Sequence, residues 1–185
     1  MKARTGAYAA LFRAVNVSGR NKLPMKDAVA MFVDAGCSDV RSYIASGNLV
    51  FRATPALAAR LPKVIPPMVA ARFGFAPPLV VRSADELRQV ADGNPFLRAG
   101  ADPDRTYVAF LADAPTAARI ASLDPARSPP DEFAVIGREI YLHMPAGMGR
   151  TKLTNDYFDS KLQTMSTARN WRTLQKLIEL TAALT

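Results

Sequence analysis

Two short segments combine glycine, cations, amides and hydroxyls at points where a predicted strand leads into a predicted helix. The first extends from Asn16 to Lys22, and the second extends from Gly147 to Asn155. Backbone N–H groups at the start of a helix, together with nearby cations, are suited to binding an anion. The glycine spacing matches neither a Walker loop nor a dinucleotide-binding fingerprint. These segments therefore predict a phosphate-binding surface that is built from turns.

A third polar segment, Ser46-Gly47-Asn48, joins two predicted strands. Gly47 and Asn48 form a favoured pair for a two-residue type II′ hairpin turn, with glycine at the first central position. This turn explains the segment without a ligand. Because the segment resembles the other two in residue types, it is also a candidate contact for the phosphate group.

The last predicted helix has an apolar face and a basic face. At 100° per residue, Trp171 and Leu174 share the apolar arc, which predicts that the indole is buried in the core. Arg169 and Arg172 lie on the opposite, basic side. Asn170 falls at the edge of the apolar arc, where an unpaired amide would be costly, so we expect it to hydrogen-bond within the protein.

The candidate ligand-binding residues are the cations, amides, hydroxyls and turn glycine of these segments. They are Arg13, Asn16, Lys22, Ser46, Gly47, Asn48, Lys152, Thr154, Asn155, Arg169, Asn170 and Arg172. We expect the four segments to line one shared surface, because solvated charge without a function would not coincide with the Gly/Asn turns. The cations would meet the phosphate groups, and Trp171 would either anchor the core or stack on a base.

No catalytic residue, metal site or cofactor is indicated. His143 is the one histidine and has no second His or Cys at ligand spacing, which argues against a metal site. Cys37 follows Gly36 at a predicted helix end, which is typical of a packed thiol rather than of a nucleophile. Carboxylates are scarce near the basic segments, so no acid–base pair is visible.

The positive charge is concentrated at the two ends of the sequence. The chain has 24 Lys and Arg against 16 Asp and Glu, a net charge of +8. Residues 1–52 have a balance of +5, residues 53–136 of zero, and residues 137–185 of +3. Since the candidate segments lie in the two basic ends, this distribution predicts an anionic partner.

Composition is typical of a globular protein outside the membrane. No apolar run approaches the ~18–20 residues that a membrane span requires. The single cysteine excludes an internal disulfide and fits a reducing compartment, so a cytoplasmic location is expected.

The order of predicted elements indicates an α+β fold of two ferredoxin-like halves packed as one compact unit, with residues 1–82 as the first half and 83–185 as the second. The first half is predicted as β-α-β-β-α-β, with a helix over 55–73 that three prolines break or kink and a last strand over 75–82. Ser83 to Glu86 predicts a capping box. The second half is predicted as β-α-β-β-α-α, with a strand over 106–111, a hairpin over 132–143, and a last helix over 168–183 capped by Ser166 or Thr167.

The polar segments also resemble the bacterial family called domain of unknown function 1697. The resemblance rests on the stretches 12–22, 43–51, 151–155 and 167–173, which follow in order over nearly the whole chain. The family pattern Arg-Gly-Ile-Asn-Val-Gly-Gly stands here as Arg-Ala-Val-Asn-Val-Ser-Gly, with Ala14 and Ser18 replacing glycines. The resemblance implies a cytoplasmic bacterial protein with two α+β halves, and it implies no activity.

The residues favour a protein that binds a phosphate-bearing ligand, either a phosphorylated small molecule or a nucleotide. Nucleic-acid binding is the first alternative. A second is an enzyme acting on a phosphorylated metabolite, in which Asn16, Asn48 and Asn170 hold polar groups of the substrate. A third is a protein-interaction module whose polar segments serve only turns and caps.

Overall fold

The computed structural model describes residues 5–184. In the structure we count α3 with the first half, which thereby extends to Asp92. Its elements are β1 (Gly6–Phe12), α1 (Met25–Asp34), β2 (Ser38–Tyr43), β3 (Asn48–Ala53), α2 (Pro55–Phe73), β4 (Leu79–Ser83) and α3 (Ala84–Asp92). The second half contains α4 (Pro95–Arg98), a 3-10 turn (Pro103–Arg105), β5 (Thr106–Leu111), α5 (Ala117–Ala121), β6 (Glu132–Ile136), β7 (Glu139–His143), α6 (Asn155–Leu162), β8 (Ser166–Asn170) and α7 (Trp171–Ala182).

Each half forms a four-stranded antiparallel sheet. The strand order is β2-β3-β1-β4 in the first sheet and β6-β7-β5-β8 in the second. In both sheets the first strand of the half lies between its third and fourth strands. The fold is therefore α+β with two ferredoxin-like halves, as the sequence predicts.

The registers of the central strands with their neighbours correspond between the two sheets. Ala9 of β1 pairs with Arg82 of β4, and Val108 of β5 pairs with Arg169 of β8. Both arginines come one residue before the end of their strand, and a helix follows each strand directly. The two halves are thus structural repeats of β-α-β-β-α-β-α.

The chain divides into two compact units by its contacts. The first unit comprises residues 1–88 and 176–185, and the second unit comprises residues 89–175. The boundary falls within α3 and within α7, so each of these helices contributes residues to both units.

The core of the first unit joins sheet residues to α1 and α2. The ring of Phe32, on α1, lies 5.2 Å from that of Phe51 and 6.2 Å from that of Phe12. All three rings are buried, and aromatic side chains bury a large apolar area each.

Helix α2 is continuous from Pro55 to Phe73, so its internal prolines do not break it, and a kink, the other predicted effect, stays a prediction. Each internal proline removes a backbone donor. The helix nevertheless buries a stripe at Leu61, Ile65 and Val69, whose burial offsets those losses. Thr54 caps its start by accepting from the N–H of Leu57 at 3.2 Å.

In the second unit the core lies between its sheet and helices α5 and α6. The ring of Phe158 on α6 contacts those of Phe133 at 5.5 Å and Tyr157 at 5.3 Å. Strand β5 and the β6–β7 hairpin have the predicted bounds, because alternating apolar residues and the Gly137-Arg138 turn fix both.

Residues 166–170 form strand β8, whereas the sequence predicted a helix cap followed by helix. Thr167 pairs with Phe110, and Ala168 pairs with Ala109 of the central strand. This pairing is long-range, so local helical periodicity does not reveal it. Helix α7 consequently begins at Trp171, and the second half ends in β-α rather than in α-α.

In the first half, the start of β4 and the connection between β2 and β3 also differ from prediction. Strand β4 begins at Leu79 rather than near Phe75, because Pro77 and Pro78 have no N–H to donate to a ladder. Asn48 pairs with Tyr43, so the connection between β2 and β3 spans residues 44–47 and is not a two-residue type II′ turn.

Within residues 5–184, no helix has both the length and the apolar character needed to cross a membrane.

Candidate functional site

The β1–α1 loop, residues 13–24, has a strained backbone. Ala14, Asn16, Ser18 and Asn21 have φ values of 55°, 55°, 50° and 50°, in the left-handed region that non-glycine residues rarely adopt. Each such residue costs roughly 1 kcal/mol or more, so the surrounding contacts must enforce the conformation. Strain of this kind concentrates at binding and catalytic sites.

The side chain of Asn16 holds the loop in this conformation. Its Nδ2 donates to the carbonyl oxygens of Leu23 at 2.8 Å and Ala45 at 2.7 Å. Its Oδ1 accepts from the N–H of Leu23 at 2.9 Å. The amide therefore ties the end of the loop to the β2–β3 turn, residues 44–47.

Gly47 allows the β2–β3 turn to lie directly against the loop. A Cβ at this position would come within 2.4 Å of Cγ2 of Val15 and 2.8 Å of Cβ of Phe12, and its φ is 83°. The N–H of Phe12 also donates to the carbonyl of Gly47 at 2.9 Å. The contacts of residues 12–16 with residues 45–47 consequently join the β1–α1 loop and the β2–β3 turn into one cluster in the first unit.

Asn48 and Ser46 have structural partners within that cluster. Asn48 is fully buried, and its Nδ2 donates to the carbonyl of Tyr43 at 3.3 Å and to Oγ of Ser46 at 3.1 Å. The amide of Asn48 therefore stabilises the turn from inside, while the side chain of Ser46 lies at its exposed end.

Helix α1 begins without a side-chain cap. Its N-cap residue is Pro24, which cannot accept a hydrogen bond through its side chain. Each of the other helices α2 to α7 has an N-cap side chain that accepts from its first turn: Thr54, Ser83, Asn94, Thr116, Thr154 and Asn170. The N–H groups of Asp27 and Ala28 both donate to the carbonyl of Pro24, at 3.0 and 3.1 Å, so the N–H groups of Met25 and Lys26 are the ones that a bound anion would accept from.

The sequence around this helix start is rich in exposed cations. Arg20, Lys22 and Lys26 are all exposed, and Arg13 at the beginning of the loop is half-buried. The one carboxylate in the first turn, Asp27, is already paired with Arg72 at 2.8 Å. The local field therefore favours an anion.

All of the net positive charge belongs to the first unit. This unit contains 14 Lys and Arg against 6 Asp and Glu, a formal charge of +8. The second unit contains 10 of each and is formally neutral. The concentration of charge in the unit that contains the β1–α1 loop adds a long-range attraction to the local cations.

In the second unit, the segment from Lys152 to Asn155 leads into α6. Thr154 caps this helix through the N–H of Tyr157 at 3.2 Å. Asn155 accepts from Oγ of Ser166, on β8, at 3.3 Å. Residues 152–155 therefore lie beside the beginning of β8, with the side chain of Lys152 exposed.

Arg169 differs most from its predicted setting, because it lies on a strand rather than on a solvated helix face. Its Nη1 donates to Oγ1 of Thr167 at 2.9 Å and to the carbonyl of Ala168 at 2.8 Å. Burial lowers the pKa of the guanidinium to about 10, which leaves it charged at neutral pH.

Asn170 is exposed, and its Oδ1 accepts from the N–H of Thr173 at 2.8 Å. It therefore hydrogen-bonds within the protein, as predicted, and this bond makes it the N-cap of α7. Arg172 is exposed, and its Nη2 lies 3.7 Å from Oδ1 of Asp104. Trp171 is 5% exposed, which confirms the prediction that it is buried.

Sequence reasoning missed Arg82, which is 1% exposed and occupies the position in β4 that Arg169 occupies in β8. Its Nη1 donates to the carbonyl of Val81 at 3.2 Å. The sequence contains a pattern that could have revealed this arginine. In both halves a strand ends with an arginine and a capping residue, and a helix follows directly: Arg82-Ser83 before α3 and Arg169-Asn170 before α7.

The structure buries Cys37 and places His143 beside a carboxylate. Cys37 is buried, and burial raises the pKa of its thiol to about 11. Nδ1 of His143 lies 3.3 Å from a carboxylate oxygen of Glu132. Among the described residues there is no group of three or more His, Cys, Asp or Glu arranged to hold a metal ion.

The fold is similar to that of the conserved bacterial protein SP0830 from Streptococcus pneumoniae, with a TM-score of 0.70 and 20% sequence identity over 96% of this chain and 99% of that chain. At this identity the likeness concerns the fold alone. No functionally curated protein matches the sequence. Residues 6–141 match the family described as "Protein of unknown function (DUF1697)". Since the match spans most of the sequence, the chain belongs to the DUF1697 family.

Proposed function

We propose that this protein binds a phosphate-bearing small molecule at the start of α1. The observation that carries the proposal is the uncapped first turn of this helix, which follows a strained loop with exposed cations. An anionic ligand would supply the hydrogen-bond acceptors that Pro24 lacks.

The conformation of the loop supports the same proposal. Left-handed residues at 14, 16 and 18 alternate with residues outside that region, although the N–H of Asn16 itself donates to the carbonyl of Asn21 at 3.1 Å. Turns with this alternation can form backbone concavities that bind anions. Lys22 and Arg20 would then add charge-assisted hydrogen bonds to the phosphate oxygens.

The direct test fills the anion position with a side chain of the protein itself. In Pro24→Asp, a carboxylate would cap α1 and occupy the space of the ligand. We expect the free energy of unfolding to rise by about 1 kcal/mol, as for a typical N-cap, and ligand binding to be lost. The matched control is Ala30→Asp, which adds the same charge at an exposed position of the same helix.

Binding is measured as a thermal shift and by calorimetry with inorganic phosphate, nucleotides and sugar phosphates. A ligand at 100 times its Kd should stabilise the protein by about 2.7 kcal/mol. The proposal is wrong if no phosphate compound stabilises the wild-type protein, or if Pro24→Asp and Ala30→Asp bind it equally well.

Nucleic-acid binding is the second candidate, and the concentration of the whole net charge in the first unit favours it. A phosphate backbone would use the same cations and would add contacts along the surface. The two candidates differ in how steeply affinity depends on salt.

A further inference from the structure

The two sheets protect their outer edges differently. Strand β2 forms one edge of the first sheet, and the corresponding strand β6 forms one edge of the second. In β2, Asp39 has a φ of 52° and the register shifts between Ser38 and Arg41. A bulge together with exposed charged residues is a known means of preventing an edge from pairing with another strand.

Strand β6 has no bulge, and Glu132 at its start is its one charged residue. Its sequence, Glu-Phe-Ala-Val-Ile, contains no Lys, Arg or Pro, and its register with β7 is regular throughout. Ile136 is 50% exposed. An apolar, regular edge strand in a formally neutral unit is free of the charge repulsion that keeps chains apart.

The hairpin determines which backbone groups of β6 point outward. Ile136 and Glu139 flank the two-residue turn Gly137-Arg138, so they exchange hydrogen bonds with each other. By the antiparallel alternation, the N–H and C=O groups of Phe133 and Val135 point away from β7. Within residues 5–184, β7 is the one strand that pairs with β6.

We propose that β6 pairs with β6 of a second copy of this chain, joining two four-stranded sheets across a two-fold axis at Ala134. Phe133 of one copy would pair with Val135 of the other, and each pair would exchange both backbone hydrogen bonds. A two-fold pairing of this kind is self-complementary, so one strand supplies both sides of the interface.

Charge complementarity supports a second copy as the occupant. In this register Glu132 of one copy lies opposite Ile136 of the other copy. Arg138 of that other copy comes two residues after Ile136, so it is a diagonal neighbour of Glu132. Long side chains of diagonal neighbours can reach each other. The carboxylate of Glu132 is largely exposed; one of its oxygens lies 3.3 Å from Nδ1 of His143 in the same copy, and the carboxylate can accept from a second cation as well. Two Glu132–Arg138 contacts would form, one on each side of the axis.

Disulfide trapping of the full-length protein tests the register. Ala134 would face its own copy in a non-hydrogen-bonded pair, with Cα atoms roughly 4.5 Å apart, which a disulfide can bridge. Ala134→Cys should therefore form a covalent dimer under mild oxidation. Ile136→Cys is the matched control: it is on the same strand and face, but its copies would lie too far apart to join. The native Cys37 is buried and does not compete.

The oligomeric state of the wild-type protein, measured by light scattering and sedimentation, completes the test. We expect a concentration-dependent dimer, which Glu132→Arg or Arg138→Glu weakens and the combination of both restores. The proposal is overturned by a monomer at all concentrations, by equal cross-linking of both cysteine variants or of neither, or by a dimer that both charge changes leave intact.

Discussion

Two residues fix the geometry of the candidate site. Asn16 makes three hydrogen bonds that tie the β1–α1 loop to Leu23 and Ala45. Gly47 removes the side chain that would otherwise keep the β2–β3 turn away from Val15. The effect of Asn16 depends on hydrogen bonds and the effect of Gly47 is steric. Each depends on one residue, so each can be tested by substitution.

Asn16→Gly should destabilise the protein by about 2–3 kcal/mol, because it leaves two carbonyls and one N–H without their partner while still accepting a positive φ. Asn16→Ala should cost about 1 kcal/mol more, since alanine also resists the left-handed backbone. Urea unfolding measures both. Equal stability of Asn16→Gly and the wild type would show that the amide does not hold the loop.

Gly47→Ala should destabilise the protein by about 2–4 kcal/mol, because its Cβ would clash with Val15 and Phe12 and its φ is positive. Adding Val15→Ala removes the closest contact. The double variant should therefore lose less stability than the sum of the two single variants, as a double-mutant cycle measures. Simple additivity would contradict the clash.

At the scale of elements, each half ends with the same device. A strand at the edge of the sheet carries a buried or half-buried arginine, and the next residue caps the following helix. In the first half the device is Arg82-Ser83 before α3, and in the second it is Arg169-Asn170 before α7. The strand thus positions the cap, and the cap determines where the helix begins.

Trp171 opens α7 and anchors it through the apolar face that it shares with Leu174 and Leu177, all of which are buried. Trp171→Ala should cost about 3–5 kcal/mol by leaving a cavity, whereas Trp171→Phe should cost clearly less. Circular dichroism during urea unfolding measures the change. A Trp171→Ala variant as stable as the wild type would exclude the anchoring role.

At the scale of the whole molecule, the distribution of charge decides which partners are attracted. A small phosphorylated ligand that neutralises one or two charges should show a shallow dependence of affinity on ionic strength. A single-stranded nucleic acid that makes four contacts should show a log–log slope near ~3, at ~0.7 for each neutralised phosphate. We expect the shallow slope, since the cations lie around turns; steep, sequence-indifferent binding of oligonucleotides would favour nucleic acid instead.

The prediction that all four polar segments form one surface is tested by variants in the second unit. Lys152→Gln and Arg172→Gln should each weaken binding of the phosphate ligand about tenfold, if their side chains contact it. Lys161→Gln is the control, because it is another exposed lysine of the same unit. Unchanged affinity in both variants would confine the site to the first unit.

The sequence by itself determined the features that depend on neighbouring residues. Alternating apolar residues placed β5 and the β6–β7 hairpin at the observed bounds, and Ser83 with Glu86 formed the predicted capping box, with bonds of 2.7 and 3.2 Å. The order of elements was sufficient to identify two ferredoxin-like halves. The burial of Trp171 followed from helical spacing alone.

Tertiary structure decided the features that depend on contacts distant in sequence. Pairing with β5 made residues 166–170 a strand, which moved Arg169 from a solvated helix face to a half-buried strand position. The contact of Gly47 with Val15 and the bond from Asn16 to Ala45 joined two loops that are separate in the sequence. Periodicity and propensity describe only local preferences, whereas the registers of the sheets determine which side chains meet.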